Sequence, residues 1–297
     1  MSSRTVHLIG AAGQLGTALR GTAPAGAVVR PYTSDDIDLV RRLSVREALA
    51  GLRPGDLVLN AAAYTAVDDA ETDWDLAFRV NGTGPALLAE ATADAGARLV
   101  HVSTDYVFAA EPGRTAPLEP GDLDPAVEPE SVYGASKLAG ERAARAADPS
   151  TTVVRTAWVY TGGPESPDFV GTMRRLEAAR PEISVVDDQR GSPTYVMDLA
   201  RGLWELIGRI DGPGDGTAGA DLHAVGAGEA TWCQLARAVF AGLGADPGRV
   251  HACTTAEYPR PAPRPAFSVL SGRSWTDAGL TPLRDWRSAL AAALENR

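Results

Sequence analysis

A glycine-rich turn near the start of the chain links a short apolar strand to a helix. Val6-His7-Leu8-Ile9 has the character of a buried strand, and Gly10, Gly13 and Gly16 follow it, ahead of a helical stretch that runs to Arg20. Glycines let a backbone approach a pyrophosphate, and a helix N-terminus offers it free N–H groups. The spacing is G-x-x-G-x-x-G rather than G-x-G-x-x-G, and a plain β–α turn is the alternative. The position directly after the first strand favours a dinucleotide cradle.

Strands and helices alternate along roughly the first half of the chain. Further strands are predicted at Ala27–Val29, Asp56–Asn60, Leu99–Val102 and Thr152–Arg155, and helices at Asp68–Val80 and Asn81–Gly96. This alternation predicts an α/β fold with a doubly wound parallel sheet of the Rossmann type.

The pattern becomes irregular after Tyr160 and predicts a smaller C-terminal α/β substrate lobe. We expect helices at Phe169–Ala179, Val196–Ile207 and Trp232–Leu243, strands at Ile183–Val186 and Leu222–Val225, and a flexible loop at Gly212–Gly219. Residues 1–160 plus about 195–211 are expected to form the dinucleotide-binding domain, and residues 161–194 plus 212–297 the substrate-binding lobe.

Tyr133 and Lys137 stand four residues apart in a predicted helix. Side chains at that spacing share one face, and a neighbouring ammonium favours the ionised form of a phenol. Such a pair is a proton donor that works near neutral pH, although an ordinary solvated helix can also carry Tyr-x-x-x-Lys. Lys137 is the only lysine of the 297 residues, and all other basic side chains except the four histidines are arginines. Because the arginine fork does not replace a compact ammonium, the single lysine favours the functional interpretation.

Charge and composition narrow the classes of partner. A net charge of −10 and a pI near 4.9 argue against nucleic acid, but a local positive patch can still bind a small anionic ligand. No apolar run approaches the ~20 residues of a membrane span, and no signal-peptide pattern begins the chain, so we expect a cytoplasmic protein. Cys233 and Cys253 lack metal-ligand spacing, and the histidines are scattered, so no metal site is expected.

Small or polar residues follow two of the predicted strands, at the sheet edge where α/β proteins bind ligands. Ala61, Ala62 and Ala63 would leave room for a cofactor, or would simply allow a close strand–helix contact. The hydroxyls of Ser103 and Thr104 could bond a substrate carbonyl, or cap a turn.

Two arginine positions could read phosphates. Arg30 is at the predicted end of the second strand, where NAD-binding chains usually carry a carboxylate for the ribose. A guanidinium there suits the 2′-phosphate of NADPH, although an exposed arginine is an equal alternative and NADH stays possible. In the Pro-rich run Tyr258–Pro265, Arg260 and Arg264 could bind a diphosphate bidentately, or could simply be solvated.

Seven motifs together resemble one family and cover nearly the whole chain. They are Gly10-Ala-Ala-Gly-Gln-Leu-Gly16, Asn60-Ala-Ala-Ala-Tyr-Thr-Ala-Val-Asp68, Ser103-Thr-Asp-Tyr-Val-Phe108, Tyr133-Gly-Ala-Ser-Lys-Leu-Ala-Gly-Glu141, Arg155-Thr-Ala-Trp-Val-Tyr160, Asp188-Gln-Arg-Gly-Ser-Pro-Thr194 and Arg264-Pro265. The chain thereby resembles the dTDP-4-dehydrorhamnose reductases, within the extended short-chain dehydrogenase/reductases.

The resemblance implies NAD(P)H-dependent reduction of the 4-keto group of a dTDP-linked 6-deoxyhexulose, with dTDP-4-dehydrorhamnose converted to dTDP-rhamnose. It implies that Tyr133 donates the proton, that Lys137 holds the nicotinamide ribose and tunes Tyr133, and that Thr104 orients the carbonyl. The implied cofactor contacts are Gly10, Gly13, Gln14, Leu15, Asp38, Leu39, Ala61, Ala62 and Ala63, together with Tyr133, Lys137 and the Arg30 discussed above. The implied substrate contacts are Thr65, Thr104, Asp105, Trp158 and Arg264.

One departure from the family pattern concerns metal. Members that bind Mg²⁺ between subunits have a glutamate just after the glycine loop, whereas this chain has Thr17-Ala18-Leu19, so the metal is not carried over. The alternatives are reduction or epimerisation of another nucleotide-linked deoxysugar, or a non-catalytic regulatory subunit of the same fold. A homodimer is also possible.

Overall fold

A six-stranded parallel sheet forms the centre of the computed structural model, which describes residues 4–212 and 215–295. The strands are β1 Thr5–Ile9, β2 Val28–Tyr32, β3 Leu57–Asn60, β4 Arg98–Thr104, β5 Thr152–Thr156, β6 Val159–Tyr160, β7 Ile183–Val186, β8 Arg190–Gly191, β9 Thr194–Tyr195, β10 Asp221–His223, β11 Ala230–Thr231 and β12 Val250–Cys253. The helices are α1 Gln14–Gly21, α2 Arg42–Ala48, α3 Trp74–Phe78, α4 Gly84–Ala95, α5 Val132–Ala147, α6 Phe169–Ala179, α7 Val196–Arg209, α8 Trp232–Gly242, α9 Arg273–Asp277 and α10 Trp286–Glu295.

The strand order of the main sheet is β2-β1-β3-β4-β5-β10, and every neighbouring pair is parallel. The chain leaves β1 toward β2 on one side and returns to β3 on the other. The strand order therefore reverses between β1 and β3, and ligands of open α/β sheets bind in the crevice outside the carboxyl ends of such strands. The α/β fold class predicted from the alternation is confirmed.

Short paired strands and helices make up the rest of the chain. β7 pairs with β12 and β6 with β9 in parallel, whereas β8 pairs with β11 antiparallel. Helix α7 packs on α1, the helix that follows the first strand of the main sheet. At this contact the Trp204 indole N–H donates to the Leu19 carbonyl at 2.9 Å. A single apolar cluster runs from Val6 in β1 through α7 and α8 to Leu294 in α10, so the two parts share one core.

Three expectations about element boundaries need correction. The second strand does not end at Val29 but continues to Tyr32. The segment 68–80 is not one helix but a 3₁₀ turn at Asp69–Glu71, the short α3 and the start of a π-helical turn at Arg79–Thr83 that leads into α4. The strand expected at Leu222–Val225 is β10, Asp221–His223, and it joins the main sheet beside β5.

Strand β10 also changes the predicted division of the chain into a dinucleotide-binding domain and a substrate-binding lobe. Residues 212–297 were assigned to the smaller lobe, but β10 forms the edge of the dinucleotide-binding sheet because its backbone pairs with β5. The rest of the two-lobe division stays a prediction. The loop expected at Gly212–Gly219 includes residues 213–214, which lie outside the described residues. Among the helices that are described, none is both long and apolar enough to cross a membrane.

Candidate functional site

The glycine loop after β1 forms a cradle against the end of β3. Gly10 has φ +82°, and a Cβ on it would lie 2.7 Å from the Ala62 nitrogen. A Cβ on Gly16 would lie 2.2 Å from the Gly10 carbonyl oxygen, so only glycine permits this close approach. Gly13 is the N-cap of α1 and has no side chain to occupy the helix end. The loop and the N-terminus of α1 therefore fit the pyrophosphate of a dinucleotide.

The other predicted cofactor residues lie around the same crevice. The Ala61 N–H donates to the Ile9 carbonyl at 3.0 Å, which holds Ala61, Ala62 and Ala63 beside the end of β1. Leu39 packs in the apolar cluster of Ile9, and Ala62 contacts that cluster. Three further predicted residues, Ala63, Leu15 and Asp38, are half-buried. Leu15 packs against the main core, and Asp38 Oδ1 accepts from the Val40 N–H.

Gln14 connects the glycine loop to the segment before α6. Its amide nitrogen donates to Ser166 Oγ at 3.0 Å and to Asp168 Oδ2 at 3.4 Å. Asp168 also caps α6, because its Oδ1 accepts from the Gly171 N–H at 2.9 Å. The Gln14 side chain thus ties the predicted cofactor loop to the start of the smaller lobe.

Thr104 and Tyr133 meet at the carboxyl edge of the sheet. Thr104 is the last residue of β4, and Tyr133 lies in the first turn of α5, whose N-cap Ser131 accepts from the Gly134 N–H at 3.1 Å. The Thr104 hydroxyl lies close enough to the Tyr133 hydroxyl to lower its pKa, while Thr104 Oγ1 donates to Asp105 Oδ1 at 3.0 Å. The Tyr106 ring holds Tyr133 edge-on, with 5.5 Å between ring centroids. The structure therefore brings together two of the three predicted catalytic side chains.

Lys137 lies one turn further along α5 and is buried. Its Nζ donates to the Val102 carbonyl at 2.8 Å and lies 3.4 Å from His101 Nε2. Asn60 Oδ1 accepts from the Ala62 N–H, so the Asn60 amide nitrogen faces His101 Nδ1 at 3.0 Å. Burial, helped by the neighbouring Lys137 charge, holds the pKa of His101 well below its ordinary value, so the ring beside Lys137 is neutral.

The pKa values around this pair differ from the sequence-based expectation. Burial raises the pKa of Tyr133 to about 12, although the Thr104 hydrogen bond opposes the shift. Burial lowers the pKa of Lys137 to about 8, and the Glu141 carboxylate opposes that shift. The expectation that the lysine lowers the pKa of the phenol is thus wrong in this structure, because desolvation outweighs any effect of the ammonium. Tyr133 is a protonated phenol at neutral pH.

Two glycines of the Tyr133 segment bring α5 close to its neighbours. A Cβ on Gly134 would lie 2.2 Å from the Tyr106 carbonyl oxygen, and one on Gly140 would lie 1.9 Å from the Asn81 carbonyl oxygen. Between them, Asn81 donates to Ser136 Oγ at 3.0 Å. Any larger residue at either glycine would push the helix, and with it Tyr133, away from Thr104.

Asp105 is a buried acid beside the hydroxyl pair. Its Oδ1 accepts from Thr104 Oγ1 at 3.0 Å, whereas no partner is found for Oδ2 among the described residues. Burial raises the pKa of Asp105 to about 6, while hydrogen bonds from Ser268 and Thr104 oppose the shift. A carboxyl group with a free oxygen at this position can accept a hydrogen bond from a bound ligand.

Trp158 lies two residues beyond β5, next to the hydroxyl pair. Thr104 pairs in register with Thr156, which places the following residues at the same edge of the sheet. Trp158 has φ +46°, an unusual value for a bulky residue. Its indole stacks on that of Trp232, with centroids 3.4 Å apart and an angle of 6° between the rings.

Arg264 does not stand free for a diphosphate. Both it and Arg260 make ion pairs with Asp68, one to each carboxylate oxygen, and the Ala262 N–H donates to the same group at 3.2 Å. Hydrogen bonds from these partners, against the opposing effect of burial, lower the pKa of Asp68 to about 2. The Pro-rich run is thereby tied to the segment that follows β3. Thr65, in that segment, is exposed.

The position of Arg30 in the structure does not support the predicted contact with the 2′-phosphate of NADPH. Arg30 is inside β2, paired with His7, and its guanidinium lies 5.4 Å from the centroid of the Tyr32 ring. A Cβ on Gly51, which follows α2, would lie 3.5 Å from Arg30 Nη1. Helix α2 runs back toward the amino edge of the sheet, so this side chain lies on the wrong side to read a cofactor at the carboxyl edge.

Sequence reasoning missed four residues of this site: Asp68, His101, Gly191 and Trp232. Asp68 and Gly191 belong to the quoted motifs, but no role followed from the pattern. His101 was set aside because the histidines are scattered along the chain, and only the pairing of β3 with β4 brings it to Asn60. No group of three or more acidic, histidine or cysteine side chains suited to a metal ion occurs among the described residues.

Fold and site together define a class. A parallel sheet of this order, a glycine cradle after β1, and a Tyr-x-x-x-Lys pair whose tyrosine meets a hydroxyl at the end of β4 are the marks of an extended short-chain dehydrogenase/reductase.

The comparisons define the family within that class. The family model for the "RmlD substrate binding domain" matches residues 4–297. A dTDP-4-dehydrorhamnose reductase of Mycobacterium tuberculosis is 49% identical over 99% of this chain and 94% of that protein. A probable dTDP-4,6-dihydroxy-2-methyloxan-3-one 4-ketoreductase of Streptomyces antibioticus is 48% identical over 96% of this chain and 93% of that protein.

A solved structure agrees with both. The Bacillus anthracis dTDP-4-dehydrorhamnose reductase in complex with NADP has a TM-score of 0.86 and 32% identity, and the match covers 99% of this chain and 100% of that chain. The chain belongs to the dTDP-4-dehydrorhamnose reductase family.

Proposed function

We propose that this chain reduces the 4-keto group of a dTDP-linked 4-keto-6-deoxyhexose with NADPH, converting dTDP-4-dehydrorhamnose to dTDP-rhamnose. The observation that carries the proposal is the pair of neighbouring hydroxyls at the carboxyl edge of the sheet, the buried Thr104 and the half-buried Tyr133, with Lys137 one helical turn away. The names of the relatives, at 48–49% identity over almost the whole chain, support the substrate class.

Tyr133, Thr104 and Lys137 have separate roles in the proposed reaction. Bound NADPH supplies a hydride to the carbonyl carbon, and negative charge then develops on the carbonyl oxygen. Tyr133, a phenol whose pKa of about 12 keeps it protonated, donates the proton that neutralises this oxygen. Thr104, whose single hydroxyl hydrogen goes to Asp105 Oδ1 in the structure, would turn it toward the same oxygen. Lys137 is fixed by the Val102 carbonyl and directs its remaining N–H groups to the nicotinamide ribose.

The glycine cradle and its surroundings would hold the cofactor. Gly10, Gly13 and the N-terminus of α1 take the pyrophosphate, and Ala61–Ala63 leave space beside it. The complex of the Bacillus anthracis relative with NADP supports NADPH over NADH. In this chain the residues just beyond β2 are Thr33 and Ser34, and neither is a carboxylate that would repel a 2′-phosphate.

The substrate would lie between the sheet edge and the smaller lobe. Asp105 Oδ2 and the Trp158 indole face the sugar, and Thr65 lies on the exposed side of the same crevice. Arg264, with Arg260, stands at the entrance and approaches the diphosphate while Asp68 holds both side chains. Whether two copies assemble, and where in the cell the chain works, stay predictions. Sedimentation velocity tests the first.

A second candidate is reduction of a different dTDP-linked keto-deoxysugar. The observation that favours it is the Streptomyces antibioticus relative, which is almost as similar as the Mycobacterium protein yet is named for another keto sugar. Both candidates use the same hydroxyl pair, so they differ only in which hexose fits beside Trp158.

One assay tests both candidates. The purified chain is incubated with dTDP-4-dehydrorhamnose, and separately with dTDP-4-keto-6-deoxyglucose, in the presence of NADPH or NADH. Cofactor oxidation is followed by absorbance, and products by chromatography and NMR. We expect turnover of the first sugar with NADPH and formation of dTDP-rhamnose. Turnover of the second sugar alone would select the second candidate, and no turnover with either would contradict the proposal.

A further inference from the structure

The backbone at Trp158 is held in a conformation that bulky residues rarely adopt. Its φ of +46° lies in the left-handed region, and among the described residues only Asp211 shares a positive φ without being glycine. Such a conformation persists only where the surroundings fix it, and it occurs preferentially at ligand sites. The question is which surrounding residues fix Trp158.

Two residues hold the Trp158 indole. Trp232 covers one face of the ring, with centroids 3.4 Å apart and an angle of 6° between the planes. Gly191 lies directly against the ring, because a Cβ there would be 2.4 Å from Cε2 and 2.6 Å from Nε1 of Trp158. Phe169 supports Trp232 at a centroid distance of 4.5 Å. We call Gly191 and Trp232 the indole clamp.

The indole clamp is a rigid unit. Gly191 in β8 pairs directly with Ala230 in β11, and Trp232 follows that strand as the first residue of α8. A capping box fixes the start of this helix: Thr231 Oγ1 accepts from the Gln234 N–H at 3.1 Å, and Gln234 Oε1 accepts from the Thr231 N–H at 3.0 Å. The two halves of the clamp therefore cannot move apart without breaking β8–β11 pairing.

We infer that Gly191 and Trp232 are positioning residues that orient Trp158 against the hexose and thereby set the affinity for the keto sugar. The inference rests on the proposed function. Trp158 follows β5, in which Thr156 pairs with Thr104, so we place its half-buried indole at the sheet edge beside the hexose. Among the described residues, no hydrogen bond or ring contact joins the indole clamp to Tyr133 or to the glycine cradle, so we infer that it acts on the sugar through Trp158.

The test compares Trp232→Ala, Trp232→Phe and Gly191→Ala with the wild type. Gly191 has no positive φ, so alanine fits its backbone and acts only by pushing the indole of Trp158. For Trp232→Ala and Gly191→Ala we expect KM for the keto sugar to rise at least ~10-fold with kcat changed less than ~3-fold, the pattern of lost binding rather than lost chemistry. Trp232→Phe keeps a ring on the face of Trp158 and should recover most of the affinity. NADPH affinity should stay unchanged in all three.

Circular dichroism can report directly on the stacking of Trp158 on Trp232. Two parallel indoles in contact couple their electronic transitions, and far-UV circular dichroism shows the resulting couplet. Trp158→Phe and Trp232→Phe should each abolish it, whereas Trp74→Ala, which removes an exposed indole, should leave it intact. Thermal unfolding of each variant checks that the fold is retained, and Gly191→Ala gives an independent answer if Trp232→Ala unfolds.

The outcomes separate this inference from the proposed function. A wild type that reduces the keto sugar, beside folded clamp variants with unchanged KM, would overturn the inference and leave the function standing. The same holds if Trp232→Phe is as impaired as Trp232→Ala. A wild type that neither binds nor reduces dTDP-4-keto-6-deoxyhexoses would overturn both.

Discussion

The two sides of the candidate site are built differently. On the cofactor side, Thr104 comes from the end of β4, and Tyr133 and Lys137 come from α5. Hydrogen bonds to Asp105 and to the Val102 carbonyl hold Thr104 and Lys137, and the Tyr106 ring packs on Tyr133. On the substrate side, Asp68 holds two arginines of the Pro-rich run, which lie almost 200 positions further along the chain and at a more exposed boundary. The first arrangement follows from a local motif on a regular fold. The second depends on how distant loops meet.

This difference between the two sides predicts which single substitutions reduce activity most. Buried donors that touch the reacting atoms should affect turnover, and ion pairs at the boundary should affect substrate affinity more weakly.

Tyr133→Phe should have the largest effect. It removes the proton donor but keeps the ring that packs on Tyr106, so turnover should fall at least ~100-fold while NADPH affinity stays within about twofold. Steady-state kinetics and cofactor titration measure the two quantities. Tyr32→Phe is the matched control, because its hydroxyl bonds His7 and the Ala48 carbonyl and not Thr104 or Lys137. Turnover of Tyr133→Phe near the wild-type value would remove the tyrosine from the mechanism.

The charge of Lys137 should appear in the pH profile. Since burial lowers its pKa to about 8, the ammonium predominates below that pH and is lost above it. Tyr133, with a pKa of about 12, stays protonated through the same range. Two other titratable groups lie near Lys137: the neutral His101 on β4, and Glu141 on α5, which is ion-paired with Arg155. We therefore expect kcat/KM to fall about tenfold per pH unit above ~8.

Lys137→Arg tests the origin of that decline. Arginine stays protonated, so the alkaline decline should disappear, while the bulkier fork should lower activity at neutral pH by about tenfold or more. Kinetics measured from about pH 6 to pH 10 decide the matter. A variant that keeps the wild-type decline would show that another group titrates.

Asp68→Asn should have a smaller effect, on the substrate side only. The change removes one charge from a cluster of three and lets Arg260 and Arg264 leave their fixed positions. We expect KM for the dTDP-sugar to change by about tenfold or less, with kcat and NADPH affinity unchanged. Arg79→Ala, which breaks an exposed pair with Asp75 elsewhere on the surface, is the control. A large loss of kcat would mean that Asp68 acts in the chemistry.

The same difference explains what could be predicted from the sequence. The glycine loop, the parallel sheet and the Tyr133–Lys137 pair each follow from short-range patterns whose physics is local. The stack of Trp158 on Trp232 and the Asp68 ion pairs require knowledge of which loops meet, and no periodicity encodes it. The phenol pKa was misjudged for a related reason, because the extent of burial depends on tertiary packing.

Arg30→Ala should have the smallest effect. It tests the prediction that Arg30 binds the 2′-phosphate, which the structure does not support. The sequence placed Arg30 at the end of β2 because the apolar run stops at Val29, but Pro31 and Tyr32 extend the strand on its edge. The guanidinium therefore packs by Tyr32 and by Gly51, which follows α2.

The residue at the carboxyl end of β2 is instead Tyr32, whose carbonyl accepts from the Gly10 and Ala11 N–H groups. Thr33 and Ser34 follow it beside the cradle. Arg30→Ala should thus change the ratio of NADPH to NADH affinity by less than about twofold, whereas Ser34→Asp should weaken NADPH by about tenfold through repulsion of the 2′-phosphate. Isothermal titration with both cofactors measures the ratio. A selective loss of NADPH binding in Arg30→Ala would show that the Arg30 guanidinium does contact the 2′-phosphate.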